Sequence, residues 1–332
     1  MTPLRIALLG AGTFVRDAHL PALQQLQDQF EIVAVFSRTR ASAEALAAKI
    51  HPTPDIYTNI AEILQRDDVD AVDIVLPIEQ LTAAVDMALA SGKHVISEKP
   101  ITPTVADGKK LLSVYSHHPS QVWMVAENWR YEAAFMRAAD ALERIGTPYL
   151  CHWALHLGVM PGAKYYVTDW RRSGTFPGGF LMDGGVHHIA ALRLVLGEIA
   201  RVTAFAAQMR PDLPPVDTLT AALRFESGLI GSYSVTYAST APFASHLTVI
   251  GEKGTLRVNR DFLELTLDGQ TEALPLAPSQ GVTDELAAFA RAVRLGEPHH
   301  NSPQQALQDV AVVEAMLRSA ETGASVEVEQ FV

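Results

Sequence analysis

Cysteine is nearly absent from this chain: Cys151 is the only one in 332 residues, which excludes an intrachain disulfide framework. It reads as a buried strand residue, since a catalytic thiol needs a base brought beside it in space, which a sequence alone does not place. An excess of positive charge is missing as well. The formal net charge is −11, which argues against the clustered Lys and Arg that a nucleic-acid binder needs to neutralise phosphates. No apolar run approaches the length of a bilayer span. The first one, Leu4–Leu9, is too short for a signal-peptide core and runs straight into a glycine turn. The expectation is a cytoplasmic protein with no nucleic-acid or membrane partner. Internal repeats, low-complexity segments and charge runs are absent too.

What is present suits two globular domains. The length exceeds that at which a single core keeps growing. A hydrophobic share of 48% and a charged share of 19% are ordinary for a chain with a sizeable core. The first third alternates short apolar runs with helical patterns. Strands are predicted at Leu4–Leu9, Glu31–Phe36, Ala71–Leu76, His94–Ser97 and Val122–Ala126, and helices at Ala18–Gln27, Ala41–Lys49, Leu81–Ala90 and Val105–Tyr115. That is the rhythm of parallel βαβ units. Beyond about residue 125, alternating stretches such as Thr218–Phe225, Leu229–Tyr237 and Gly254–Val258 are separated by short turns. The fold class expected is therefore α/β. A Rossmann dinucleotide-binding domain spans 1–125, and an α+β domain with a large, mostly antiparallel open sheet spans 126–332. Two helices close the chain. Thr283 would cap the first, ahead of Asp284 and Glu285. Ser302 would cap the second, with Pro303 at its first position and Gly323 as its stop.

The cofactor end lies between the first strand and the first helix, at Gly10-Ala11-Gly12-Thr13-Phe14-Val15. Gly10 permits a tight turn, and Gly12 lets the backbone approach a pyrophosphate at the helix N-terminus. Val15 stands where the fingerprint has a third Gly or Ala, so the motif is incomplete. The second strand ends in Phe36-Ser37-Arg38-Thr39-Arg40, without the acid that NAD-selective sites place there for the ribose hydroxyls. Ser37 and Arg38 offer a hydroxyl and a planar guanidinium to a 2′-phosphate, so NADP(H) is expected over NAD(H).

Two later clusters carry the chemistry. Glu98-Lys99-Pro100 follows a strand and would project Lys99 at the carboxyl edge of the sheet, where ligands bind. Gly178-Gly179-Phe-Leu-Met-Asp183-Gly-Gly185-Val-His187-His188 spaces Asp183 and His187 four residues apart, on one face if the segment is helical. A lysine, an aspartate and a histidine beside a nicotinamide can handle the proton that accompanies hydride transfer. His117-His118 and His299-His300 resemble metal pairs, but adjacent residues point apart and no third ligand is evident. No metal is expected.

With the glycine turn, Glu98-Lys99-Pro100, Asn128-Trp-Arg-Tyr131, Trp170-Arg171 and the Gly-Gly…Asp-x-Gly-x-His run, nearly the whole chain resembles the Gfo/Idh/MocA oxidoreductase family. Within it, Gly12-Thr-Phe-Val-Arg-Asp-Ala-His-Leu-Pro21, Ala126-Glu-Asn-Trp129 and Leu181-Met-Asp-Gly-Gly-Val-His187 look closest to a fungal NADPH-dependent branch. The resemblance implies that Lys99 hydrogen-bonds the reacting oxygen and that Asp183 and His187 complete the catalytic set, His187 handling the proton. It implies that Trp129, Arg130, Trp170 and Arg171 line the cleft around nicotinamide and substrate, with Tyr165, Tyr166 and His188 as further pocket members. Leu76, Pro77, Glu98 and Asn128 complete the expected cofactor contacts. Leu76-Pro77-Ile78 departs from the Thr-Pro-Asn of many relatives, and Ala190 replaces a frequent acid.

The activity expected is oxidoreduction at a carbonyl or hydroxyl carbon of a small polar molecule such as a sugar or polyol. A homodimer or homotetramer through the second domain's sheet would go with it. Two rival readings are a non-catalytic nucleotide-sensing regulator of the same fold and an NAD-dependent glycosidase. Retention of Lys99, Asp183 and His187 argues against the first, and the Ser37-Arg38 pair against the second.

Overall fold

The computed structural model describes residues 2–241 and 245–332. The chain divides into two compact units. The first holds residues 1–102, 106–128 and 281–307, and the second holds 103–105, 129–280 and 308–332. Residues 281–307 thus join the first unit, although sequence order runs them on from the second domain.

In the first unit six parallel strands are β1 (Leu4–Leu9), β2 (Phe30–Phe36), β3 (Asp55–Tyr57), β4 (Ala71–Ile74), β5 (His94–Glu98) and β6 (Trp123–Ala126). Their order is β3-β2-β1-β4-β5-β6. The strands are short apolar runs because a doubly wound sheet is covered on both faces; β4 is buried at every position. The helices are α1 (Leu20–Gln25), α2 (Arg40–Ala47), α3 (Ile60–Leu64), α4 (Ile78–Ala90) and α5 (Val105–Tyr115). Strand order reverses between β1 and β4, which is the switch point where such sheets bind ligands at the strands' carboxyl ends.

The helix predicted from Ala18 starts differently. Residues Val15–His19 form a π turn, closed by the Leu20 N–H on the Val15 carbonyl, and the α-helix begins only at Leu20. Pro21 supplies a reason: it has no N–H to donate, and its ring crowds the carbonyl four residues back, which a widened turn relieves.

The second unit is built on a nine-stranded sheet, ordered β14-β13-β12-β11-β7-β10-β9-β8-β15. The strands are β7 (Pro148–His156), β8 (Ile199–Ala207), β9 (Thr218–Phe225), β10 (Ile230–Thr236), β11 (Leu247–Gly251), β12 (Gly254–Val258), β13 (Leu263–Leu267), β14 (Gln270–Ala273) and β15 (Val326–Glu327). Pairing is antiparallel throughout except between β7 and β10. Along β9 the buried residues Leu219, Ala221, Leu223 and Phe225 alternate with half-buried or exposed ones, so one face makes core. The helices are α6 (Ala133–Ala141), the short α7 (Asp169–Arg172), α8 (Gly179–Leu196), α9 (Gly281–Leu295, in the first unit) and α10 (Pro303–Thr322). The segment carrying Asp183 and His187 is indeed helical.

Helix starts differ in legibility. The Ser302 hydroxyl accepts from the Gln305 N–H, as a cap ahead of Pro303 should. Thr283 is not a cap: α9 starts at Gly281, which puts Thr283 inside the first turn.

Candidate active site

The carboxyl edge of the parallel sheet collects the predicted cofactor residues that follow each strand. Gly10 follows β1 at φ +138°, and a Cβ there would lie 2.3 Å from the Val75 carbonyl oxygen. Only glycine fits so close to the chain leaving β4. Gly12 is the opposite case. A Cβ added to it would meet nothing within 4 Å, so the turn faces open space just ahead of the first helix. An open, side-chain-free turn at a helix N-terminus fits a pyrophosphate. Thr13 accepts a hydrogen bond from the exposed Arg16 guanidinium at 3.3 Å. Ser37 and Arg38 follow β2, and among the described residues Arg38 has no hydrogen-bond or ion-pair partner. Leu76 and Pro77 follow β4, Glu98 ends β5 with Lys99 next, and Asn128 follows β6.

Beneath this edge lies a feature that sequence reasoning missed. His19 is fully buried between two carboxylates, with Nδ1 2.7 Å from Asp73 and Nε2 2.9 Å from Glu98. Asp73 sits inside β4, opposite Leu8 of β1 and Ile96 of β5, where a bare charge would be costly. The pair of carboxylates holds His19 protonated well above its ordinary 6.5, against the opposing effect of burial. Nearby Glu285 is also buried, and desolvation raises its carboxyl well above the usual range while Asn301 donates to it at 3.2 Å. The signal in the sequence was an aspartate inside the apolar run Ala71–Leu76.

In the second unit α8 presents Asp183 and His187 one helical turn apart. Asp183 is buried and accepts from Arg171 Nε at 2.7 Å and Nη2 at 3.5 Å. That guanidinium also packs 4.0 Å from the Trp170 ring centre and 5.2 Å from Tyr165. Arg171, expected against the cofactor, thus has Asp183 as its partner. His187 is half-buried and stacks on Trp129, with ring centres 5.6 Å apart. The hydroxyl of the buried Tyr237 abuts Gly184, the residue between Asp183 and Gly185; a Cβ on Gly184 would come within 1.9 Å of it.

Two predicted pocket residues face inward instead. His188 is buried and its Nδ1 is 2.7 Å from the Tyr233 hydroxyl, so it serves the core behind His187. Arg130 is buried too and pairs with Asp309 at 2.5 Å, and Asp309 also receives Arg193 at 2.5 Å. Residue spacing could not reveal Asp309, which is 179 positions away. Tyr166 donates to Asp212 at 2.9 Å, and Tyr165 remains exposed. Cys151 is buried in β7, and desolvation pushes its thiol up to about 12. Among the described residues no group of three or more His, Cys, Asp or Glu is arranged to hold a metal ion.

Sequence comparison agrees with this layout. Residues 4–126 match the model of the oxidoreductase family's NAD-binding Rossmann fold, and residues 140–328 match that of its C-terminal alpha/beta domain. The chain belongs to the Gfo/Idh/MocA oxidoreductase family. It is 30% identical to the dehydrogenase FPY6 of Fusarium mangiferae, covering 98% of this chain and 99% of that one. It is 28% identical to a D-xylose 1-dehydrogenase (NADP(+)) of Haloferax volcanii, covering 98% and 100%. A crystallised oxidoreductase of Thermotoga maritima superposes with a TM-score of 0.92 at 37% identity, covering 99% and 100%. As a Gfo/Idh/MocA member the protein is an NAD(P)-dependent oxidoreductase with a dinucleotide-binding Rossmann domain. No helix among the described residues is long and apolar enough to cross a membrane.

Proposed function

We propose that the protein is an NADP(H)-preferring dehydrogenase or reductase acting on a sugar, polyol or related small carbonyl compound. The observation that carries this reading is α8, which sets a buried, arginine-paired Asp183 one turn from a half-buried His187. The glycine turn would hold the dinucleotide by its pyrophosphate, and the cofactor would supply the hydride chemistry. Lys99 hydrogen-bonds the reacting oxygen and favours charge there. His187 gives or takes the proton that accompanies the hydride. Asp183, held by Arg171, keeps the histidine and the substrate hydroxyls in register. Trp129 gives His187 a flat apolar wall.

The NADP(H) preference rests on Ser37 and the unpartnered Arg38 after β2, and on the absence of an acid there. It agrees with the NADP(+) in the printed name of the Haloferax relative, whose sugar substrate also motivates the substrate class. Exposed Phe205 and Met209, 74% and 62% accessible, support self-association into a homodimer or homotetramer through the open sheet. A single buried cysteine suits a reducing, cytosolic setting.

The test is turnover of a panel of aldoses and polyols with NADP+ and of sugar-derived carbonyls with NADPH. Lys99→Ala and His187→Asn should each lower kcat by roughly 10²–10⁴. Wild-type turnover that survives both substitutions would overturn the roles assigned here.

A further inference from the structure

The segment Val15-Arg-Asp-Ala-His19-Leu-Pro21 has no part in the chemistry above, yet it places the most completely buried histidine of the first unit beside that unit's ligand edge. His19 closes the π turn that follows the glycine turn. Its ring meets Phe14, a residue of that glycine turn, edge-on at 5.2 Å. On its other side it reaches Asp73 in β4 and Glu98 at the end of β5, one residue before Lys99. Both neighbours are acceptors. With two carboxylates flanking the ring, each nitrogen donates, so one imidazolium ties three elements together.

We propose that His19 is a positioning residue: through Glu98 it fixes the chain where Lys99 leaves the sheet, and through Phe14 it fixes the glycine turn that receives the cofactor. The role rests on the oxidoreductase reading given above. The mechanical logic is local. Successive strand residues point to opposite sides, so clamping the Glu98 carboxylate sets the peptide from which Lys99 projects. A side chain held only by a strand end would swing; one whose neighbour is anchored by a buried charge-assisted bond does not. The groups facing His19 are Asp73, Glu98 and Phe14, and Glu285 and Glu127 share the same buried pocket of charge. Misplacing a reacting group by an ångström slows a reaction strongly, which sets the scale of the effect.

His19→Gln keeps polarity but cannot bridge both carboxylates, and Asp73→Asn keeps shape while removing one of the two charges. The measurements are kcat and KM, the NADPH Kd by nicotinamide fluorescence, and the rate of Lys99 acetylation by a soluble active ester, resolved by peptide mass spectrometry against Lys49. All are made well below each variant's melting temperature. His19→Gln should lower kcat about tenfold or more with the sugar KM within about twofold, and Asp73→Asn should fall between it and wild type. It should also weaken NADPH binding and change the Lys99 acetylation ratio about threefold. A folded His19→Gln with wild-type kcat, NADPH affinity and Lys99 reactivity overturns the proposal. If wild-type protein neither binds NADPH nor turns over, the function reading fails, and the acetylation ratio alone then decides whether His19 positions Lys99.

Discussion

Arg171 donates to Asp183 from two nitrogens of one guanidinium, at 2.7 and 3.5 Å, and so couples the short helix α7 to α8. The fork geometry matters, because lysine offers a single point charge and cannot stack on Trp170 in the same way. Arg171→Lys should therefore recover little of what Arg171→Ala loses. Both should reduce kcat/KM by about tenfold or more, with secondary structure retained. Steady-state kinetics with far-UV circular dichroism on the two variants checks this, and full activity in Arg171→Lys would show that only charge is needed.

Gly184 has no room for a side chain. Its added Cβ would stand 1.9 Å from the Tyr237 hydroxyl and 2.9 Å from the ring carbon that bears it. Gly184→Ala should destabilise the protein by about 1–3 kcal/mol and depress activity by shifting Asp183. Tyr237→Leu in the same chain should restore part of the loss. Denaturant melts of the single and double variants measure it, and simple additivity would argue against this contact.

Arg130 and Asp309 form a buried pair, and Arg193 donates to the same carboxylate, so removing Arg130 leaves Asp309 with one of its two arginines. Arg130→Leu should cost about 1–3 kcal/mol, because Arg193 still compensates Asp309, lowering the melting temperature while leaving substrate KM within about twofold. A raised KM at unchanged stability would return Arg130 to the pocket.

Stability should also respond to pH through His19. Its pKa is raised on folding, chiefly by Asp73 and then Glu98 against desolvation, so the native state binds the proton more tightly than the unfolded chain. That contribution is complete below 6.5 and is lost as pH climbs through the higher native value. The gap in melting temperature between wild type and His19→Gln should be largest near about pH 6 and narrow steadily toward about pH 9. Glu285, also raised by burial, is partly offset by the His19 charge, so the comparison is made in a Glu285→Gln background, where its titration is absent from both proteins. A gap that widens with pH would mean that His19 is neutral in the native state.

Much of this was legible in the residues. Buried strands such as Leu4–Leu9 and the half-buried Thr218–Phe225 announce themselves by apolar runs or alternation, and the Ser302 cap by local side-chain chemistry. The four-residue spacing of Asp183 and His187 pointed to one shared face only on condition that the segment is helical, which α8 supplies. Three-residue β3 and five-residue α3 were missed because so short a stretch has no readable period. The inward turn of His188 and Arg130 was missed for another reason. Tyr233 and Asp309 become their partners only after folding brings distant positions together. The same is true of His19, whose two carboxylates lie 54 and 79 residues away.

The most direct test is titration of the purified protein with NADPH and, separately, NADH, following nicotinamide fluorescence in wild type and Arg38→Ala. NADPH should bind more tightly than NADH. Arg38→Ala should weaken NADPH by about tenfold or more while leaving NADH nearly unchanged, as loss of a phosphate-binding guanidinium requires. Preference for NADH, or an Arg38→Ala variant that still selects NADPH, would contradict the assignment of Ser37 and Arg38.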